Sequence, residues 1–423
     1  MQALPGRCLA RADDQYARLV ADRPVVVGAE PLRGLLPTTR RPVDPARHAT
    51  ATASVAFDGG QTGSAAPVGA YLATRLGLLL LSGSVAALWH RSLVAQLTAF
   101  DGQWYLRLAA HGYPDRVLRV QSTLGFFPLY PLVIRTVGSV LRSDVVAAVS
   151  VALVGGLVAT VLVQRLATAW WGEDLGRRAA VVFALFPGSL VFSMAYSEGL
   201  ALPLLLGSLL ALRSRRWVLA GALAGLAAVV EPVALVLPVV VAVLAVGVTW
   251  REHRVAPLVA PVLAGLGVAA FAGFLWAWTG SPLAAFVAQH AGWSNQTDPL
   301  GIFGLPVVRH LVAHPAGALS YLPTWNLWDN VLGTAFLLWS LVRVWKVRAE
   351  LSSGAFAWLV GVAAVTLWSA KTLPNARMDL LAFPAVLVWA RRPPRAGYRA
   401  FVSVELVALA GASLLTLTGH MLP

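Results

Sequence analysis

Apolar residues in this chain gather into long runs, and polar residues are left to short breaks between them. The runs lie at about Gly69–Trp89, Asp144–Gln164, Arg178–Ala195, Ser197–Leu212, Trp217–Val230, Val233–Val248, Val255–Trp278, Trp325–Val342, Gly354–Ser369, Met378–Ala390 and Ala400–Thr418. Each reads as a helix, because roughly 20 apolar residues in a helix cross the hydrocarbon core and satisfy their own backbone on the way. The pattern predicts an all-α, polytopic membrane protein of about 11 transmembrane helices. One further apolar stretch, Phe126–Leu141, would reverse the direction of every later helix if it crossed. Its Pro128, Pro131 and Arg135 suit a helix lying in the interface instead.

The breaks also fix orientation. Arg165/Arg177/Arg178, Arg213/Arg215/Arg216, Arg251/Arg254, Arg343/Lys346/Arg348 and Arg391/Arg392/Arg395/Arg399 fall in short connections and are expected inside. The outer face then receives a first loop (90–143), the turn at Tyr196–Glu198, Glu231, a large loop (279–324) and Lys371–Arg377. Residues 69–278 form a seven-helix unit, and 325–423 supply four more helices.

Composition agrees with this picture: 58% of the 423 residues are hydrophobic and 12% charged. The net charge of +14 raises nucleic acid as a partner, but the arginines punctuate apolar runs instead of forming a basic face, so that class is set aside. The single cysteine, Cys8, implies no internal disulfide. Residues 1–68, rich in Arg, Pro, Asp and Thr, read as a cytoplasmic, largely disordered leader.

Groups able to do chemistry collect on the outer side. "FDGQWYLRLAAHGYP" (100–114) sets Asp101 before Trp104 and Tyr105. Asp101 is suited to capping a short helix 102–110, and equally to acting as a base at the membrane surface. Gln103, Arg107 and His111 share one face of that helix. Glu198 follows Tyr196–Ser197 at a helix start, where the dipole stabilises an acid. Asp101 and Glu198 could converge on a substrate hydroxyl. A transporter would place ionisable groups near mid-membrane on interrupted helices. Here Glu405 is the one acid deep in an apolar run, so a transporter, like a non-catalytic lipid-sugar binder, is the rival reading.

Five stretches in order, "FDGQWYLRLAAHGYP", "FFPLYPLVIR", "ALFPGSLVFSMAYSEGLALPLLLGSLLAL", "WTGSPLAAFVAQHAGW" and "ARMDLLAFPAVLVWA", resemble the PIG-V-type mannosyltransferases, the family of the second GPI mannosyltransferase and its bacterial, notably actinobacterial, relatives. The resemblance covers about Ala99–Ala390. It implies a C-superfamily glycosyltransferase fold with outer-face interfacial helices and an extracytoplasmic site in the plasma membrane. It also implies a polyprenyl phosphate mannose donor and a glycolipid or cell-envelope glycan acceptor, with no cofactor and no metal required. Asp101 would be the catalytic base. Trp104, Tyr105, Tyr196, Ser197, Glu198, Gln289 and Trp293 would line the substrate site, and Arg377 would meet the donor phosphate. Arabinose remains an alternative sugar.

Three positions depart from the family pattern. Phe100 stands where a Trp is usual, Glu231 where Arg precedes the proline, and Asp379 where an aromatic is usual. Glu231 puts a phosphate-binding role at that position in doubt.

Overall fold

The structure, a computed structural model, describes residues 65–293, 325–369, 373–391 and 395–423. The expected leader lies almost wholly outside the described residues, as do 294–324 of the large loop and Lys371. Among the described residues all regular elements are helical: α1 (Ala65–Leu88), α2 (Leu93–Leu97), α3 (Asp101–His111), α4 (Leu129–Leu141), α5 (Asp144–Trp171), α6 (Glu173–Leu185), α7 (Glu198–Arg213) and α8 (Trp217–Ala228). Beyond these come α9 (Val236–Glu252), α10 (Val259–Thr279), α11 (Ala284–Trp293), α12 (Trp325–Val347), α13 (Ser353–Leu367), α14 (Ala376–Leu381), α15 (Phe383–Leu387) and α16 (Arg395–Leu417).

Five stretches are long and apolar enough to cross a membrane: Ala65–Leu88, Asp144–Trp171, Pro232–Glu252, Ala256–Thr279 and Ala396–Leu417. Leucine, valine and tryptophan side chains stay exposed along them, as lipid contact requires. The chain is a multi-pass membrane protein. Of the other expected crossings, Trp325–Val342 lies in the continuous 23-residue α12, which carries Asp329, Arg343 and Lys346 and is less apolar, and the rest are shorter or broken. α8 runs 12 residues, α13 runs 15 and α7 runs 16. α4 is a 13-residue helix, about 20 Å long and so short of a crossing; it packs on α3 and α5.

Two expected straight helices are corrected. The run Arg178–Ala195 ends as α-helix at Leu185 and continues as a 3₁₀ segment, Pro187–Ser193, bent by 70°. Pro187 has no N–H to extend α6 and disfavours helical geometry at Phe186, which is extended at ψ 137°. The run Met378–Ala390 is likewise divided into α14, α15 and a 3₁₀ turn, Val388–Arg391, with Pro384 in the first turn of α15.

Small residues and one buried cation hold these breaks in place. Gly155 of α5 faces the backbone of Gly199 in α7 so closely that a Cβ would fall 1.6 Å from the Gly199 carbonyl oxygen. Arg75 of α1, 6% exposed, turns its guanidinium onto the corner after α6. It donates to the carbonyl of Ser189, to the Ala184 carbonyl at 3.1 Å and to Ser189 Oγ at 2.9 Å, with the Tyr71 ring 5.1 Å away. A broken helix leaves carbonyls without N–H partners, and a guanidinium with five donors suits them.

Candidate active site

The corner of the bent segment delivers Tyr196, Ser197 and Glu198 to one place. Ala195 N–H donates to the Leu97 carbonyl at 2.8 Å, tying this corner to the loop before α3. Across that tie, Phe100 adopts φ 56° and ψ −118°, a conformation that L side chains rarely take and that costs on the order of 1–3 kcal/mol. Phe100, not Asp101, is the N-cap residue of α3, and no side chain caps that helix. The capping role open to Asp101 is therefore not the one it plays. Asp101 is the first residue of α3, and its carboxylate points away to another element.

That element is α14. The Arg377 guanidinium donates from Nη1 to Asp101 Oδ2 at 2.8 Å and from Nε to Glu198 Oε1. Three distant segments thus meet in one ion-pair triad. The Glu198 side chain is fully buried, Arg377 is 16% exposed and Asp101 30% exposed, so the triad opens toward solvent at Asp101. The Tyr196 ring lies 4.8 Å from the guanidinium carbon, and its hydroxyl accepts from Asp101 N–H at 3.4 Å. Burial works to lower the Arg377 pKa, and the carboxylates of Glu198 and Asp101 more than offset it, so Arg377 stays charged. α14 can present Arg377 because Asn375 accepts from Met378 N–H at 2.9 Å as its cap, and because Gly188 leaves room: a Cβ there would fall 2.0 Å from the Ala376 carbonyl oxygen.

A second hydrogen-bonded chain runs beside the triad. Tyr105, one turn after Asp101 on the same face of α3, donates its hydroxyl proton to Ser197 Oγ at 2.8 Å, and Ser197 donates to Glu231 Oε2 at 3.1 Å. Burial, reinforced by the charges of Asp101 and Glu198, holds the Tyr105 phenol protonated well above its usual range. Glu231 sits in the break between α8 and the Pro232–Leu235 turn, outside both helices, and is 4% exposed. Its Oε1 and Glu198 Oε2 are buried without a hydrogen-bond partner.

The remaining expected site residues form an aromatic wall. Trp104 stacks on Phe126 at 5.9 Å and meets Trp293 edge-on at 5.4 Å; Phe126 and Trp293 close the triangle at 5.5 Å. Tyr105 touches the same Phe126. Gln289 spends its amide on structure, donating Nε2 to the Gly125 carbonyl at 2.7 Å and so tying α11 to the turn at Thr123–Gly125. Asp379 is buried two residues beyond Arg377, and neither of its carboxylate oxygens has a hydrogen-bond partner. His111 and Arg107 are exposed, and the Arg107 guanidinium carbon lies 5.0 Å from the centre of the Trp104 ring. Among the described residues no group of three or more His, Cys, Asp or Glu side chains is placed to hold a metal ion.

The triad, the Tyr105–Ser197–Glu231 chain and the wall bring Asp101, Trp104, Tyr105, Tyr196, Ser197, Glu198, Trp293 and Arg377 into one neighbourhood. They add Glu231, which sequence reading placed on the outer face and noted as a departure from the family pattern without giving it a role in the site. Beside them lies an apolar groove of about 630 Å³ between α4, α8 and α10, lined by Leu129, Leu132, Leu226, Val229, Phe271 and Phe274 among others. Leu129 N–H donates to the Val229 carbonyl at 3.0 Å, which ties the groove wall to the strand of chain carrying Glu231.

Comparison with known proteins gives three findings. Residues 70–244 match a family model described as Mannosyltransferase (PIG-V). GPI mannosyltransferase 2 of Drosophila pseudoobscura pseudoobscura is 31% identical over 125 residues, 26% of this chain and 26% of that protein, so the chain spans about a quarter of the curated relative it matches. Among solved structures, ArnT from Cupriavidus metallidurans is similar over 81% of this chain and 76% of its own, with 15% identity and a TM-score of 0.47. The oligosaccharyltransferase AglB of Archaeoglobus fulgidus, solved with an inhibitory peptide and a dolichol-phosphate, is similar over 82% and 55%, with 15% identity and a TM-score of 0.43. The segment similar to that family model contains Asp101, Tyr105, Tyr196, Ser197, Glu198 and Glu231, and so every acid of the triad and of the chain beside it.

Proposed function

We propose that the chain is a membrane glycosyltransferase that moves mannose, with inversion, from a polyprenyl phosphate mannose to a glycolipid or cell-envelope glycan. The site lies on the extracytoplasmic face of the plasma membrane. The observation that carries this reading is the Asp101–Arg377–Glu198 triad, with its one semi-exposed carboxylate beside an aromatic wall.

In the reaction, the acceptor hydroxyl oxygen attacks the anomeric carbon as the bond to the phosphate oxygen breaks. Asp101 takes the hydroxyl proton, and the polyprenyl phosphate leaves with the bonding electron pair. A β-linked donor then gives an α-mannoside. Arg377 holds the Asp101 carboxyl group in place by a hydrogen bond from Nη1. It also presents Nη2, which makes no hydrogen bond among the described residues, to an incoming phosphate oxygen. Trp104 and Trp293 offer ring surface to a sugar. The groove of α4, α8 and α10 suits the hydrocarbon of a lipid-linked donor or acceptor. The arginine-bearing connections support an inside location for the opposite face.

The test is transfer of label from radiolabelled polyprenyl phosphate mannose to a lipid extract by the purified protein. Transfer supports the reading, and transfer from polyprenyl phosphate arabinose alone would change the sugar. Donor binding without product from either would replace the enzyme with a lipid-sugar binder.

A further inference from the structure

Three carboxylates, Asp101, Glu198 and Glu231, face one guanidinium, that of Arg377. Two of them take its hydrogen bonds, and the third does not reach it: Glu231 receives a single hydrogen bond, from Ser197. A carboxylate buried to 4% exposure, with one oxygen unpartnered and a second buried acid near it, is in a setting that penalises its charge.

We propose that Glu231 is a positioning residue that stands in the site as a neutral carboxylic acid. As such it fixes the Ser197–Tyr105 chain and leaves the charge of Arg377 to Asp101 and Glu198. This rests on the transferase reading for its purpose, though not for its test.

The geometry supports it from three sides. Glu231 joins a third segment to α3 and to the turn before α7, so its one accepted bond sets the rotamer of Ser197, whose neighbour is Glu198. As a neutral acid it has a proton to donate, and the buried Glu198 Oε2 is an acceptor in want of one. Ionisation would set a third negative charge in a site that must admit an anionic phosphate. The charged and titratable groups acting on Glu231 are Glu198 and Asp101, which disfavour its ionisation, and Arg377, which favours it; the Tyr105 phenol reaches it through Ser197. Burial is the largest influence, and the balance lifts Glu231 to about 8.

The consequence is an alkaline switch. As pH rises, Glu231 loses its proton, competes for Arg377 and loosens Asp101. The Ser197 hydrogen bond acts in the opposite direction to burial, stabilising the ionised form, so its removal should move the switch to higher pH.

The experiment is infrared difference spectroscopy of the purified wild-type protein in detergent, titrated from pH 6 to about 10 and followed at the carbonyl stretch of protonated carboxyl groups. It reads a proton on a side chain and needs no sugar transfer, so it stands if the transferase reading falls. The expected result is a band lost with rising pH in wild type, missing from the titration of Glu231→Gln, and lost at higher pH in Ser197→Ala. A band that titrates unchanged in Glu231→Gln, or wild type with no titrating band, overturns the proposal. If Glu231→Gln does not fold, Ser197→Ala decides: an unshifted or downward-shifted midpoint overturns it. Where transfer is measurable, the ratio of rates at pH 9 and pH 7 should rise in Glu231→Gln relative to wild type.

Discussion

Arg377 and Asp101 are 276 positions apart in the chain, yet their side chains meet at 2.8 Å, and the same guanidinium holds Glu198. A carboxyl group set against a guanidinium in this way is fixed in direction, which is the property that the proposed role of Asp101 needs first.

Asp101→Asn keeps the shape of the side chain and removes its basicity. Transfer from polyprenyl phosphate mannose is expected to fall by roughly 10²–10⁴-fold, the range for a positioned general base. The measurement is single-turnover label transfer beside a melting curve showing an intact fold. Equal rates in variant and wild type would remove Asp101 from the chemistry.

Arg377→Met leaves the fully buried Glu198 carboxylate unpaired. Breaking a buried pair from one side is strongly destabilising, about 3–5 kcal/mol, whereas neutralising both partners is far milder. Thermal unfolding in detergent should therefore show a large loss for Arg377→Met and a partial recovery in the double variant with Glu198→Gln. A single variant as stable as wild type contradicts the burial of this pair.

Stability should also fall with pH across the Glu231 titration. Its carboxyl is raised from about 4.5 in the unfolded chain to about 8 in the fold, chiefly by burial. Between those values the native state holds a proton that the unfolded state has released. Stability from this group is thus complete below about 4.5 and drains away as pH rises to about 8. Denaturant midpoints compared at pH 6 and pH 8.5 should differ in wild type and converge in Glu231→Gln. Equal differences in the two proteins would assign the pH dependence to another group.

Gln289→Leu tests whether that amide serves the fold or the sugar. Losing its bond to Gly125 leaves a buried carbonyl short of a partner, worth about 1–3 kcal/mol, with KM for the donor unchanged. A raised KM at full stability would return Gln289 to the substrate.

The apolar runs were legible because every lipid-facing helix must be apolar for most of a crossing, and α1, α5, α10 and α16 follow them closely. What hydropathy could not show is where such a run bends. Leu185 to Ser193 is apolar enough on average to be read into one crossing, and only Pro187, Gly188 and Ser189 hint at the corner. The site was legible as types of residue at helix starts, as with Asp101, Glu198 and Arg377. Their meeting was not, since it depends on the Asn375-capped start of α14 and an unusual backbone at Phe100. Gln289 and Glu231 show the limit most clearly. The Gln289 amide N–H donates to a carbonyl, and an acid that looked out of place is, with Tyr105, the second partner of Ser197.

The contact of Gly155 with Gly199 also constrains how this protein can change over time. A side chain at Gly155 has no exit, because it would strike main chain, which cannot rotate aside as a neighbouring side chain can. Any substitution there must first push α7 outward, and α7 begins with Glu198. Random drift is therefore closed at Gly155, and two glycines packed backbone to backbone hold the start of α7, and with it the buried Glu198, in place.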